Sequence, residues 1–140
     1  MENFLFLCTG NSCRSQIAEG IAKDIFDSTY HIESAGTEKH GINPNAIDTL
    51  NEIGINISDY KSKLINLNQL NKFDLIITLC GDAKDKCLSL NKNIKHMHWN
   101  IKDPANFNGN NEQISKEFSK IRDEIFDKIK SIKAISRCSG

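Results

Sequence analysis

Two kinds of apolar pattern alternate along the 140-residue chain. Residues 3–7 and 73–80 (FDLIITLC) are apolar runs of strand length without in–out alternation, the mark of a strand covered on both faces. From Ser12 to about Phe26 the period changes: Ile17, Ala18, Ile21, Ala22 and Ile25 recur at helical spacing. A second strand spans 30–34 and ends at the Ala35-Gly36 pair. Pro44 then opens a helix whose face carries Ala46, Ile47, Leu50 and Ile53 up to Gly54. Residues 64–70 predict a short helix and 94–99 a weaker strand. The longest helical stripe, 114–132, carries Phe118, Ile121, Ile125, Ile129 and Ile132.

Strands alternating with helices predict a doubly wound, four-stranded parallel α/β sheet with flanking helices, built as one domain over 1–140. Ligands of such sheets sit beyond the carboxyl ends of the strands. The strands ending at Leu7 and Leu79 are each followed directly by a cysteine, so Cys8 and Cys80 are expected at one edge.

Composition narrows the function classes. Eighteen basic and eighteen acidic residues cancel, so no global field favours nucleic acid or an anionic membrane. No apolar run approaches the roughly 20 residues of a membrane span. The apolar start follows Glu2 and turns polar quickly, unlike a secretory signal, so the expected location is the cytoplasm. In that reducing compartment the five cysteines (Cys8, Cys13, Cys80, Cys87, Cys138) point to metal, redox chemistry or burial instead of structural disulfides.

The segment CTGNSCRS, 8–15, carries the densest chemistry. Three uses compete: a metal site, a redox pair, or an anion cradle with a thiol at its base. A strand–loop–helix junction aims backbone N–H groups and the positive end of a helix at one point. Arg14 would close that ring as a bidentate clamp on a tetrahedral oxyanion. The same donors favour a thiolate at Cys8, and Ser15 is placed to hydrogen-bond it. Gly10 gives the loop a turn that a side chain would obstruct. Thr9, Gly10, Asn11, Ser12, Cys13, Arg14 and Ser15 are thus the oxyanion-binding candidates, with Cys13 facing the interior in a structural role. A zinc site from Cys8, Cys13, Cys80 and Cys87 fits poorly with close-pair spacings. His96 and His98 alternate on a strand, and no metal or cofactor is expected.

CTGNSCRSQIAEG closely resembles the phosphate-binding loop of the low-molecular-weight tyrosine phosphatase superfamily, and more narrowly that of its thioredoxin-coupled arsenate reductases. ESAGTEKHGINPNAI (33–47), DLIITLCGDAKDKC (74–87), HWNIKDPA (98–105) and IRDEI (121–125) extend the likeness over nearly the whole chain. The resemblance implies a relay. Cys8 attacks arsenate, Cys80 then forms a disulfide with Cys8 and expels arsenite, and Cys87 takes over Cys80 in a disulfide that thioredoxin reduces. If 80–87 were helical, the two sulfurs would stand about 10 Å apart along the axis. A disulfide needs Cα atoms within roughly 7 Å, so the segment would have to unwind.

Asp103 matches the family's general acid, on a loop stiffened by Pro104. Phosphatases of the superfamily follow this dipeptide with aromatic residues, whereas Ala105 and Asn106 stand here, with Phe107 displaced. Some family members bind potassium near Asn11, Glu19 and Ser34 with an acidic partner from the loop after the second helix. That loop reads SDYKSK, placing Lys61 and Lys63 where the partner is expected, so an ammonium substitutes and no potassium dependence is expected. The partners implied are arsenate or a similar small oxyanion and thioredoxin, with the chain a monomer that binds neither nucleic acid nor membrane. A tyrosine phosphatase and a non-enzymatic oxyanion or redox sensor remain alternatives. Cys138 sits in a polar tail expected to fray.

Overall fold

The computed structural model describes residues 2–80 and 95–139, with the side chains of all of these but Glu2, Leu67 and 134–139. Cys87 and the side chain of Cys138 therefore lie outside the described residues. The elements follow in the order β1 (Glu2–Cys8), α1 (Arg14–Ile25), β2 (Tyr30–Gly36), α2 (Pro44–Asn51), β3 (Leu75–Thr78), β4 (His96–His98) and α3 (Asn111–Ser139). Short 3-10 turns at Leu67–Lys72 and Pro104–Asn106 lead into β3 and α3.

The described strands pair in the order β2-β1-β3-β4, every pair parallel. β1 lies between two neighbours and is covered on both faces, which is why its run is apolar without alternation. Phe4, Phe6 and Cys8 turn to the face that α1 and α3 cover, where Ile17, Ile21, Phe118, Ile125 and Ile129 complete the core. Leu5 and Leu7 turn to the other face, against Leu70, Phe73 and Ile76. Arg122 of α3 donates to Thr49 O at 2.9 Å and pairs with Glu52 at 2.7 Å, tying α3 to the end of α2.

Three expectations change in the folded chain. The helix expected over 64–70 is a 3-10 turn over Leu67–Lys72, started by the Asn66 side chain accepting from Asn68 N at 3.1 Å. Leu64 is 60% exposed and forms a parallel bridge with Gly36 instead of a helical face. Ile53 is 40% exposed: α2 has already closed, with Gly54 at φ +80 letting Ile55 N return to Leu50 O at 3.0 Å. The last helix continues to Ser139, through the tail expected to fray.

The carboxyl ends of the strands are shaped by close backbone approach. Cys8 pairs in register with Gly36. A Cβ on Gly36 would lie 2.6 Å from both Thr9 O and Glu38 O and 2.8 Å from Asn11 N, so a side chain there would displace the loop after β1. Beyond Gly36 the chain stays paired to that loop: Thr37 N donates to Cys8 O at 3.2 Å, Glu38 N to Thr9 O at 2.7 Å, and His40 N to Gly10 O at 3.1 Å.

Candidate active site

The loop after β1 encloses a cavity of about 140 Å³. Cys8, Thr9, Gly10, Ser12, Cys13 and Arg14 line it from the loop, and His40, Asp103 and Ala105 close its mouth. Pockets for drug-sized ligands run to roughly 300–1,000 Å³, so this one suits a small ion. A second cavity of similar size, beside Glu33, Lys63 and Lys72, is lined by no cysteine.

Helix α1 opens onto the cavity with Cys13 at its N-cap. That residue makes no side-chain bond to the first turn, and no acidic residue stands in the turn. Helices usually satisfy these N–H groups with a Ser, Thr, Asp or Asn cap, and a helix start without one is suited to receiving an anion.

Asn11 and Ser15 lie behind the wall, both fully buried. Asn11, not Gly10, is the left-handed residue of the loop, at φ 50. Lys63 N, a backbone donor, meets Asn11 Oδ1 at 2.8 Å, which orients the amide. Nδ2 therefore faces Ser15 Oγ at 2.8 Å and Ser34 Oγ at 3.0 Å and donates to both. Ser34 in turn donates a hydrogen bond to Glu19 Oε1 at 2.5 Å. Ser15, already accepting from Asn11, has its one hydrogen left for Cys8 Sγ at 2.8 Å. A donor aimed at the sulfur stabilises negative charge on it.

The ammonium that reaches Glu19 is that of Lys23, at 2.7 Å, and it also lies 4.9 Å from the Tyr60 ring centroid. Burial draws the Lys23 pKa down, but the Glu19 carboxylate outweighs it and the net shift is upward. Lys63 instead sends its ammonium to Glu33 at 3.4 Å, and Lys61 contributes its carbonyl, 3.3 Å from Gln16 Nε2. The expected stand-ins for a cation are thus replaced by a residue one helical turn from Glu19, the spacing at which side chains on one helix meet.

Arg14 is held by two carbonyls from separate strand ends: Nη1 donates to Leu79 O at 3.1 Å and to Ile101 O at 2.9 Å. Its Nη2 lies 3.7 Å from Asp103 Oδ2. Asp103 also caps the second 3-10 turn, its Oδ1 accepting from Ala105 N at 3.0 Å, with Pro104 buried behind it. Cys80 follows Leu79, whose N–H bonds Leu7 O at 2.8 Å, and its Sγ lies 3.2 Å from Thr9 Oγ1. Cys8 and Cys13 are free thiols. The fold thus brings Cys8, Thr9, Arg14, Cys80 and Asp103 to one edge.

Cys13 is buried, and its pKa rises from 9.0 to about 12, through burial first and the nearby Asp103 carboxylate second. That rise cuts its thiolate fraction near pH 8 about a thousand-fold. Iodoacetamide should therefore leave Cys13 unmodified in the folded protein at pH 8 and label it after unfolding in guanidinium, as read by peptide mass spectrometry. Labelling of folded Cys13 at the rate of a free cysteine would contradict the burial described. Its contribution to stability is complete below pH 9 and is lost as pH rises toward 12, because the unfolded thiol ionises first.

His40 is the cavity residue that sequence reading missed. Its signal was positional: it follows a strand end, on the side of the sheet edge where ligands bind. His96 and His98, which alternate on β4, bracket Thr78, with His96 Nε2 at 3.0 Å and His98 Nδ1 at 2.8 Å from its hydroxyl. Among the described residues no three of His, Cys, Asp or Glu are grouped to hold a metal ion. No helix among them is long and apolar enough to cross a membrane.

Residues 3–136 match the low molecular weight phosphotyrosine protein phosphatase family. An arsenate reductase of Shouchella clausii is 50% identical over 125 residues, 89% of this chain and 90% of the relative. That of Bacillus subtilis is 48% identical over 132 residues, 93% and 95% of the two chains. Among solved structures, an arsenate reductase in its phosphate-binding state has a TM-score of 0.76 at 28% identity, covering 96% of this chain and 98% of its own. A low molecular weight protein tyrosine phosphatase from T. tengcongensis, at TM-score 0.83 and 24% identity over 96% and 99%, shares the fold.

Proposed function

The chain belongs to the low molecular weight phosphotyrosine protein phosphatase family and, within it, to the arsenate reductases, and we propose that it works by a three-cysteine relay regenerated by thioredoxin. The observation that carries this reading is the placement of Cys80 Sγ 3.2 Å from Thr9, in the loop that starts at Cys8. Hydrolysis of a phosphate ester uses one thiolate. Reducing As(V) to As(III) takes two electrons, which two thiols supply by becoming a disulfide.

In the first step the Cys8 thiolate, steadied by the Ser15 hydroxyl, attacks arsenic. Asp103 gives a proton to the departing oxygen, which leaves as water. Arg14 and the first-turn N–H groups of α1 hold the remaining oxygens, with Arg14 steered by its bonds to Leu79 O and Ile101 O. Next the Cys80 thiolate attacks Cys8 sulfur. The S–As bond breaks with its electron pair going to arsenic, arsenite departs, and a Cys8–Cys80 disulfide remains. Cys87 then attacks Cys80 and frees Cys8, leaving a Cys80–Cys87 disulfide for the dithiol of thioredoxin. The reading includes a cytoplasmic monomer, since the cytosol keeps such thiols reduced.

The test is NADPH consumption by the full chain with arsenate, thioredoxin and thioredoxin reductase. Arsenate-dependent consumption that needs every component supports the proposal. Vigorous hydrolysis of aryl phosphate with no arsenate-dependent consumption would replace it with a phosphatase.

A further inference from the structure

We propose that His40 touches the substrate and selects a free hydrogen oxyanion over its esters. The inference rests on the arsenate reductase reading and deepens it. Three observations converge on the ring. It lines the cavity with Cys8, Arg14 and Asp103. It packs directly on the cradle: a Cβ on Gly10 would lie 2.5 Å from His40 Nδ1, so the absent side chain of Gly10 is the space the ring occupies. Its far nitrogen is held, with Nε2 3.2 Å from Glu38 Oε2.

That last contact orients the ring. A carboxylate accepts, so Nε2 carries its hydrogen toward Glu38 and Nδ1, on the cradle side, keeps a lone pair in the neutral ring. The segment is anchored on both sides of the pair, by Glu38 N on Thr9 O at 2.7 Å and His40 N on Gly10 O at 3.1 Å. His40 follows β2 and Asp103 follows β4, the two edge strands of the sheet, so the walls of the mouth come from opposite edges.

Arsenate near neutral pH carries one or two O–H groups besides its bare oxygens, whereas the dianion of an ester carries none. The cradle is rich in donors, which suit the bare oxygens. The O–H needs an acceptor, and Asp103, the proton donor of the first step, is not that group. Nδ1 of His40 supplies the acceptor. In an ester a carbon replaces that hydrogen, so the bond cannot form and the added group meets the imidazole.

The test compares wild type, His40→Ala and His40→Asn, the last keeping an amide oxygen near the place of Nδ1. Steady-state arsenate reduction is run beside calorimetric binding of inorganic phosphate, an oxyanion with the same O–H that the thiols do not reduce. His40→Ala should raise KM for arsenate and Kd for phosphate about five-fold, with kcat within about two-fold, the size expected for one lost hydrogen bond. His40→Asn should recover most of both, and aryl phosphate hydrolysis should not fall in either variant. Unchanged KM and Kd in His40→Ala overturns the proposal, as does a fall in kcat with no change in KM. If wild type neither binds phosphate nor reduces arsenate, the anion cradle itself is wrong and this proposal goes with it.

Discussion

Cys8→Ser should lower arsenate turnover by at least about 10⁴-fold in the thioredoxin-coupled assay. Serine fits the space and keeps the hydrogen-bond chain from Ser15 through Asn11 to Glu19. It fails chemically twice: its hydroxyl is a weak nucleophile at neutral pH, and oxygen cannot form the disulfide that carries away two electrons. Thermal unfolding separates this loss from damage to the fold, since Tm should stay within a few degrees of wild type. Turnover within ten-fold of wild type would remove Cys8 from the reaction.

Cys80→Ser should abolish sustained reduction, by more than about 10³-fold, yet spare the first step. The cavity built by Cys8, Arg14 and Asp103 does not need the Cys80 sulfur, which meets Thr9 on the adjoining side. In that variant arsenate still joins Cys8 with loss of water, and the adduct can only revert. Reversal brings a solvent oxygen into arsenate, so isotope exchange between arsenate and ¹⁸O-water should continue within a few-fold of wild type while arsenite stays below one equivalent per chain. Multiple equivalents of arsenite would show that electrons travel another way. Loss of exchange together with reduction would instead make Cys80 part of the cradle.

Much of this site was legible in the primary structure because its core is local. Cys8, Gly10, Cys13 and Arg14 lie within seven positions, where a strand passes into a helix, and chain geometry there leaves little freedom. Cys80 was legible for a different reason: the end of an unbroken apolar strand marks a sheet edge. The core stripe of α3 followed from its period, and Phe118, Ile121, Ile125, Ile129 and Ile132 are all buried as that period requires.

What the chain alone left open are choices among equally plausible partners far apart in sequence. Lys23, Lys61 and Lys63 were all available to Glu19, and helical geometry awarded it to Lys23 while Lys63 turned to Glu33. Asn11 read as an oxyanion-binding candidate and part of a cation site, whereas in the folded chain Lys63 N orients its amide and makes it the donor to both Ser15 and Ser34. Gly10 read as the residue that permits a turn a side chain would obstruct, whereas the folded chain uses its bareness to seat His40, thirty positions on. By itself the sequence determined the sheet, the cradle and the two thiols at one edge, because local spacing and apolar period act over a few residues. Only the tertiary structure decided what surrounds Cys8, because hydrogen bonds that orient a side chain depend on which distant backbone arrives beside it.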